Sequence, residues 1–491
     1  MKRIVLPASV LALTIFAIAC VNQAPSNSNI VATTTPAPTA TPTPSSGVVT
    51  AASTVPVTLP VLDALFSDDA FKAELKSKLQ LTDVQIEGLR NSARAEVAKL
   101  GETNSEQQEG AAAEARDRAE EAIRNAIGAQ KADALLALVR ERWVNGNETP
   151  EPGKEKEAGV AMLPGPNAVP TDTRIVVNIP AYRMDLFKNG SLVKSYKIGI
   201  GYPQFPLPTG LRKAQTIIFN PTWTPPDEPW VANMKDVAVG EKVEAGSPLN
   251  PLGPIKIPIG MPSLIHGGKS LAKIGTFASH GCVGLTNAQV KDFATTLVRA
   301  AGKNVSEKTL ASYLTDPTKT KVVKLDDPVP VELRYETIVV EDGKLHIYKD
   351  VYDQNTNTEE NLRAALQKNG LNLEDFSDAE RAQVLEALNA MSTRPQKIVW
   401  STSANSNATP ANSNAPVEAA GNINGNVNQN ANGRMAKDAK TKPASRKPIS
   451  KKQKEVVIEA AALSGKGYPG PVDLDTGSGK PARKPTETAA P

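Results

Sequence analysis

Ser279-His280-Gly281-Cys282-Val283-Gly284-Leu285-Thr286-Asn287 holds one of the chain's two cysteines and one of its three histidines, and His266 lies sixteen residues before Cys282. A cysteine attacks a carbonyl as its thiolate, and a free thiol ionises near pH 8.5, so a base or a cation has to stand beside it. His266 and His280 are the candidates nearby in sequence, and a Cys–His pair makes an acyl-transfer nucleophile. A thiol so activated is expected to alkylate well below pH 8. Gly281 permits a tight turn that would aim the amides around Gly281 and Cys282 at a developing oxyanion. Gly267-Gly268 lets the chain bend and offers a backbone carbonyl to fix the His266 tautomer. Three other readings compete. An inert core cysteine fits poorly between Ser-His-Gly and Gly. A metal site of His266, His280 and Cys282 lacks a visible fourth ligand, so neither metal nor cofactor is expected. A papain-like order, Cys then distant His, is absent.

Outward from this stretch the texture is β-rich. Arg174-Ile175-Val176-Val177-Asn178-Ile179 reads as a strand. Arg183 to Phe187 and Leu192 to Ile198 flank Asn189-Gly190, a hairpin signal. Thr216 to Phe219, Ile255 to Ile257, Val322 to Leu325, Val329 to Tyr335 and Lys344 to Tyr348 continue the pattern, and a helix is expected over Asn287 to Ala301. His346, inside an expected strand, reads as structural.

These residues together resemble the catalytic domain of the YkuD-type L,D-transpeptidases, whose signature is an upstream histidine followed by Ser/Thr-His-Gly-Cys and then Asn. Ile175 to Met184, Gly199-Ile200-Gly201, Pro208-Thr209-Gly210, Phe219-Asn220-Pro221-Thr222-Trp223 and Ile265-His266-Gly267 are similar to segments of the same family. The resemblance covers about residues 173 to 353. It implies a mostly β catalytic domain in an α+β chain, with peptidoglycan stem peptides as partner. Cys282 would attack the third residue of a stem tetrapeptide, release D-alanine and form a thioester. A neighbouring stem's amine would resolve it as a 3-3 crosslink, whereas water would make the protein a carboxypeptidase. Carried over by position, Cys282 is the nucleophile, His266 the base and His280 an orienting or electrostatic neighbour. Gly267 would offer its carbonyl to the base, and Ser279, Gly281 and Asn287 would shape the loop. One departure stands out: the family commonly has arginine two residues after the cysteine, where this chain has Gly284. A wall-binding module of the same fold without turnover is therefore the rival reading.

The chain has 491 residues, net charge +4 and 4% aromatics, which gives no footing for nucleic-acid binding. Lys2-Arg3, an apolar run from Ile4 to Ile18 and Ala19-Cys20 have the order of an export signal over residues 1–19. The run is shorter than a membrane-spanning helix requires. Phe16 to Cys20 resembles a bacterial lipobox, which makes Cys20 a lipid attachment site and the membrane a partner. Cleavage after Ala17-Ile18-Ala19 without lipidation is the alternative. If Cys20 carries lipid, Cys282 is the one remaining thiol and no internal disulfide forms.

Residues 20–60 read as a Ser/Thr/Pro-rich tether and 61–145 as a helical region. A Pro/Gly-rich linker over 146–172 precedes the catalytic domain at 173–353, which is followed by a helical appendix at 354–400. Residues 401–491 read as a disordered tail, its basic cluster around Lys451 and Lys452 mainly solvating. One sizeable core and one small helical unit are expected. Leu81-Thr82-Asp83-Val84-Gln85 matches a short motif of periplasmic stress proteins, but an ordinary helix start is the better reading and no function is carried from it.

Overall fold

The computed structural model describes residues 56–99, 111–145, 162–393 and 449–477, apart from positions 229, 230, 232, 233, 261 and 451. The export signal, Cys20, most of the tether and most of the 146–172 linker lie outside the described residues, all of which fall in one compact unit. Among them no helix is long and apolar enough to cross a membrane.

Among the described residues five helices come first. The Thr58 hydroxyl accepts the Val61 N–H at 3.3 Å and so caps α1 (Leu59–Leu65). Asp68 caps α2 (Asp69–Leu79). Thr82 and Gln85 exchange hydrogen bonds, Thr82 Oγ1 taking the Gln85 N–H at 3.2 Å and Gln85 Oε1 the Thr82 N–H at 3.1 Å. That reciprocal cap opens α3 (Asp83–Lys99), and the stress-protein motif is thereby accounted for as a helix start. Gly128, at φ 79°, separates α4 (Ala111–Ile127) from α5 (Ala129–Asn145). Leu62, Phe71, Leu75, Leu89, Ile123, Leu135 and Trp143 fill the bundle.

The main sheet has eight strands in the order β3-β2-β1-β10-β5-β6-β7-β9. They are β1 (Arg174–Asn178), β2 (Arg183–Lys188), β3 (Ser191–Lys197), β5 (Gly210–Phe219), β6 (Ile255–Pro258), β7 (Leu264–His266), β9 (Val283–Gly284) and β10 (Lys321–Arg334). A short parallel pair, β4 (Ile200–Gly201) with β8 (Phe277–Ser279), lies beside it. Asn189 and Gly190 both take positive φ, 48° and 82°, the turn that joins twisted strands tightly. The two strands read on either side of Asp326-Asp327-Pro328 are one strand, β10, whose register shifts between Lys324 and Val329. Pro328 has no N–H to give the ladder, which is why the sequence reads as a break. Behind the sheet, α6 (Asn287–Ala300) buries Val290, Phe293, Ala294 and Leu297 in the same core, and the short α7 (Glu307–Ser312) follows it.

Two expectations are corrected here. A second sheet, β11 (Ile338–Glu341), β12 (Lys344–Tyr348) and β13 (Glu455–Glu459), is completed from within the stretch read as a disordered tail. It shares a core with α8 (Glu359–Lys368) and α9 (Asp378–Met391), through Leu345, Leu362, Leu388, Ile458 and Leu463. So β11 and β12, placed inside 173–353, and the helices placed in a separate appendix are one unit with its own core. After β13 the chain runs along β3, where the Ser195 N–H donates to the Val472 carbonyl, the Asp475 N–H to the Ser195 carbonyl and the Lys197 N–H to the Asp475 carbonyl, each at 2.9 Å. It thereby covers the otherwise open edge of the main sheet.

Candidate active site

Cys282 lies at the end of the main sheet. The parallel β7–β9 ladder sets Ile265 opposite Val283 and His266 opposite Gly284, so the base candidate sits on the strand next to the one that Cys282 immediately precedes. His266 is buried, and its Nδ1–H donates to the Gly267 carbonyl at 2.7 Å. That bond leaves Nε2 as the basic nitrogen, the tautomer being assigned from the partner. Burial first, then the charge of Lys269, lowers the imidazole to about 3. His266 is neutral at rest.

Ser279 closes the cysteine loop on itself. Its hydroxyl donates to the Cys282 carbonyl at 2.6 Å while its Oγ accepts the Cys282 N–H at 3.0 Å. The Cys282 amide, expected to face an oxyanion, is therefore already engaged. Gly281 sits at φ 89°, and its carbonyl accepts the Ser263 hydroxyl at 2.8 Å. Asn287, first residue of α6, accepts the Gly268 N–H on Oδ1 at 2.8 Å, which ties the turn after His266 to the helix after Cys282. Burial pushes the half-buried Cys282 thiol up, against the lowering effects of a Leu264 backbone bond and of Lys269. The resting pair is thus neutral thiol and neutral imidazole, not the low-pH thiolate expected from sequence.

His280 stands among aromatic side chains. Its ring is exposed and meets Phe205 edge-on at 4.6 Å and Tyr202 at 5.5 Å. The surrounding protein first, then Lys269, lowers its imidazole below the ordinary histidine value. His346 pairs with Glu455 across the second sheet at 2.5 Å, a structural contact.

Sequence reading missed the groups that reach the site from elsewhere. Trp143 of α5 lies 3.7 Å from where a Cβ on Gly281 would stand, and its carbonyl accepts Arg212 of β5. Lys269 lays its side chain across Gly284: a Cβ there would meet its Cγ at 2.8 Å and its Cε at 3.1 Å. Neither carries a local signal, because each reaches the loop through the fold.

Residues 172–329 match the model of the YkuD L,D-transpeptidase catalytic domain. These residues form a YkuD domain. No curated protein matches the chain. Among solved structures, the catalytic domain of an E. faecium L,D-transpeptidase is 17% identical, with 34% of this chain and 100% of that one covered and a TM-score of 0.22. An L,D-transpeptidase from Mycobacterium smegmatis is 16% identical over 33% of this chain and 58% of its own, TM-score 0.21. One from Mycobacterium tuberculosis is 14% identical over 33% and 57%, TM-score 0.19. The chain spans 49% of the first such relative. The YkuD domain covers the cysteine loop, β7 and α6, while the helical bundle and the second sheet lie outside it.

Proposed function

We propose that the chain is a cysteine-dependent L,D-transpeptidase acting on peptidoglycan stem peptides. The observation that carries this is the buried His266, its Nδ1–H held by the Gly267 carbonyl, on the strand next to the Cys282 loop within a YkuD domain. In this reading the sulfur of Cys282 attacks the carbonyl carbon of the third stem residue as its proton passes to His266 Nε2. The C–N bond to D-alanine then breaks, the amine leaving with that proton, and a thioester remains on Cys282. A side-chain amine of a second stem attacks the thioester, gives its proton to His266, and re-forms the thiol. Because thiol and imidazole are both neutral at rest, proton transfer accompanies attack instead of preceding it.

Export and lipid attachment at Cys20 belong to the same proposal and rest on the sequence order of Lys2 to Cys20. Labelling with a fatty-acid analogue tests them: incorporation is expected in the wild type and lost in Cys20→Ala. For the chemistry, the intact protein is mixed with disaccharide-tetrapeptide and analysed by mass spectrometry. An adduct on the Cys282 peptide with release of D-alanine is expected, and its absence from a folded protein would refute the reading.

A further inference from the structure

Gly284 is bare on the side that faces Lys269. The Lys269 stem lies along it, with Cγ, Cε and Cδ at 2.8, 3.1 and 3.4 Å from the position a Cβ would take. Its backbone fixes it there as well: the Lys269 N–H donates to the Leu285 carbonyl at 3.1 Å, and the Leu285 N–H donates to the His266 carbonyl at 2.9 Å. Partial burial disfavours the ammonium, and an anion beside it would offset that cost. Among the described residues no carboxylate pairs with Lys269, and the titratable groups it acts on or that act on it are His266, His280, Cys282 and Lys273, with Lys256 on the far side of His266. Lys256 lies opposite His266 in the β6–β7 ladder, and Lys273 Nζ sits 5.9 Å over the Tyr202 ring. The single group in this set that becomes negative is Cys282, and its charge and that of Lys269 favour one another.

We propose that Lys269 is a positioning residue for the nucleophile, its ammonium held beside the cysteine loop to balance charge on the Cys282 sulfur, and that Gly284 is bare in order to give its stem room. The step it assists is the loss of the thiol proton to a base, with the electron pair staying on sulfur. Burial lowers the Lys269 ammonium from its ordinary value while negative charge on Cys282 raises it, so the lysine holds its proton most firmly when the sulfur is ionised. This rests on Cys282 being the nucleophile but not on the identity of the substrate.

The test is the pH dependence of alkylation by iodoacetamide, a neutral reagent, followed on the Cys282 peptide of the full chain so that Cys20 does not contribute. In Lys269→Met, which keeps the stem and removes the charge, the midpoint is expected to rise by roughly half to one pH unit. Below the midpoint the rate is expected to fall about three- to tenfold, since thiolate population follows the shift. Lys269→Arg restores the charge and is expected to recover most of the wild-type profile. Gly284→Ala, whose methyl displaces the stem, is expected to shift the midpoint in the same direction and decides the matter if Lys269→Met does not fold. A Lys269→Met or Gly284→Ala profile that superimposes on the wild type overturns the proposal. So does a Lys269→Arg profile as displaced as that of Lys269→Met, because packing and not charge would then be responsible. A lysine-dependent shift in a protein that forms no acyl-enzyme would refute the transpeptidase reading and leave this one standing.

Discussion

At the residue scale, a neutral His266 on the strand next to the loop of a neutral Cys282 sets the expected chemistry. With the imidazole held near 3, it keeps its free base form down through pH 5. In the free enzyme kcat/KM for D-alanine release is therefore expected to lack an acid limb at the ordinary histidine pKa of about 6.5. A fall centred near pH 6.5 would mean that His266 is hydrated and not buried. His266→Gln is expected to lower kcat by roughly two to four orders of magnitude while leaving the fold intact, by circular dichroism. Gly281→Ala separates strain from crowding. The nearest side-chain atoms, on Trp143, are at an ordinary 3.7 Å, whereas φ is 89°. A loss of about 1–2 kcal/mol in chemical denaturation is expected, from the backbone alone. The local part of this site was legible: Ser279, Gly281, Cys282 and Asn287 lie within nine residues, and the tight turn and the helix start among them are properties of those residues themselves. Lys269 was not read, although it is three residues from His266, because its function depends on the bare face of Gly284 across a strand pair.

At the element scale, the bundle meets the catalytic domain through the β5–β6 connection. Arg94 of α3 holds Asp227 with two bonds, of 2.8 and 2.7 Å, and Arg90 stands 3.5 Å from the same carboxylate. Beside them, Asp63 of α1 and Glu228 are both buried, and Asp63 Oδ2 and Glu228 Oε2 have no other partner. One shared proton satisfies both. Burial, then the charge of Asp63, pushes Glu228 far up from 4.5; burial also raises Asp63, against the pull of Glu228, Arg94 and Arg90. The folded state thus keeps a proton that the unfolded state gives up. The resulting stability is full below about pH 4.5 and declines as pH rises toward the raised value. Glu228→Gln is expected to flatten the decline in Tm between pH 5 and 8, and an unchanged slope would contradict the shared proton. Helix starts and the Asn189-Gly190 turn were legible because caps and turns are local. This contact was not, since nothing in either segment marks the other as its partner.

At the scale of the whole molecule, the described residues hold three large hydrophobic cores and a smaller cluster around Phe187, Val339 and Tyr468, where one core and a helical unit were expected. The missing piece was β13, five residues whose Val456 and Ile458 face inward between Lys-rich and Gly-rich neighbours. So short an alternation is submerged by its flanks, and its partner β12 lies more than a hundred residues earlier. Ile458→Ala is expected to cost about 2–5 kcal/mol of the second core's stability. Ending the chain at residue 400 is expected to make α8 and α9 sensitive to limited proteolysis, whereas resistance equal to the full chain would show that β13 is dispensable.

The most direct test of the central claim is product analysis of the purified full chain incubated with disaccharide-tetrapeptide, beside its Cys282→Ala variant, by mass spectrometry. Crosslinked dimer and free D-alanine are expected from the wild type and neither from the variant. Tripeptide without dimer, no product from a folded wild type, or equal product from the variant would contradict it.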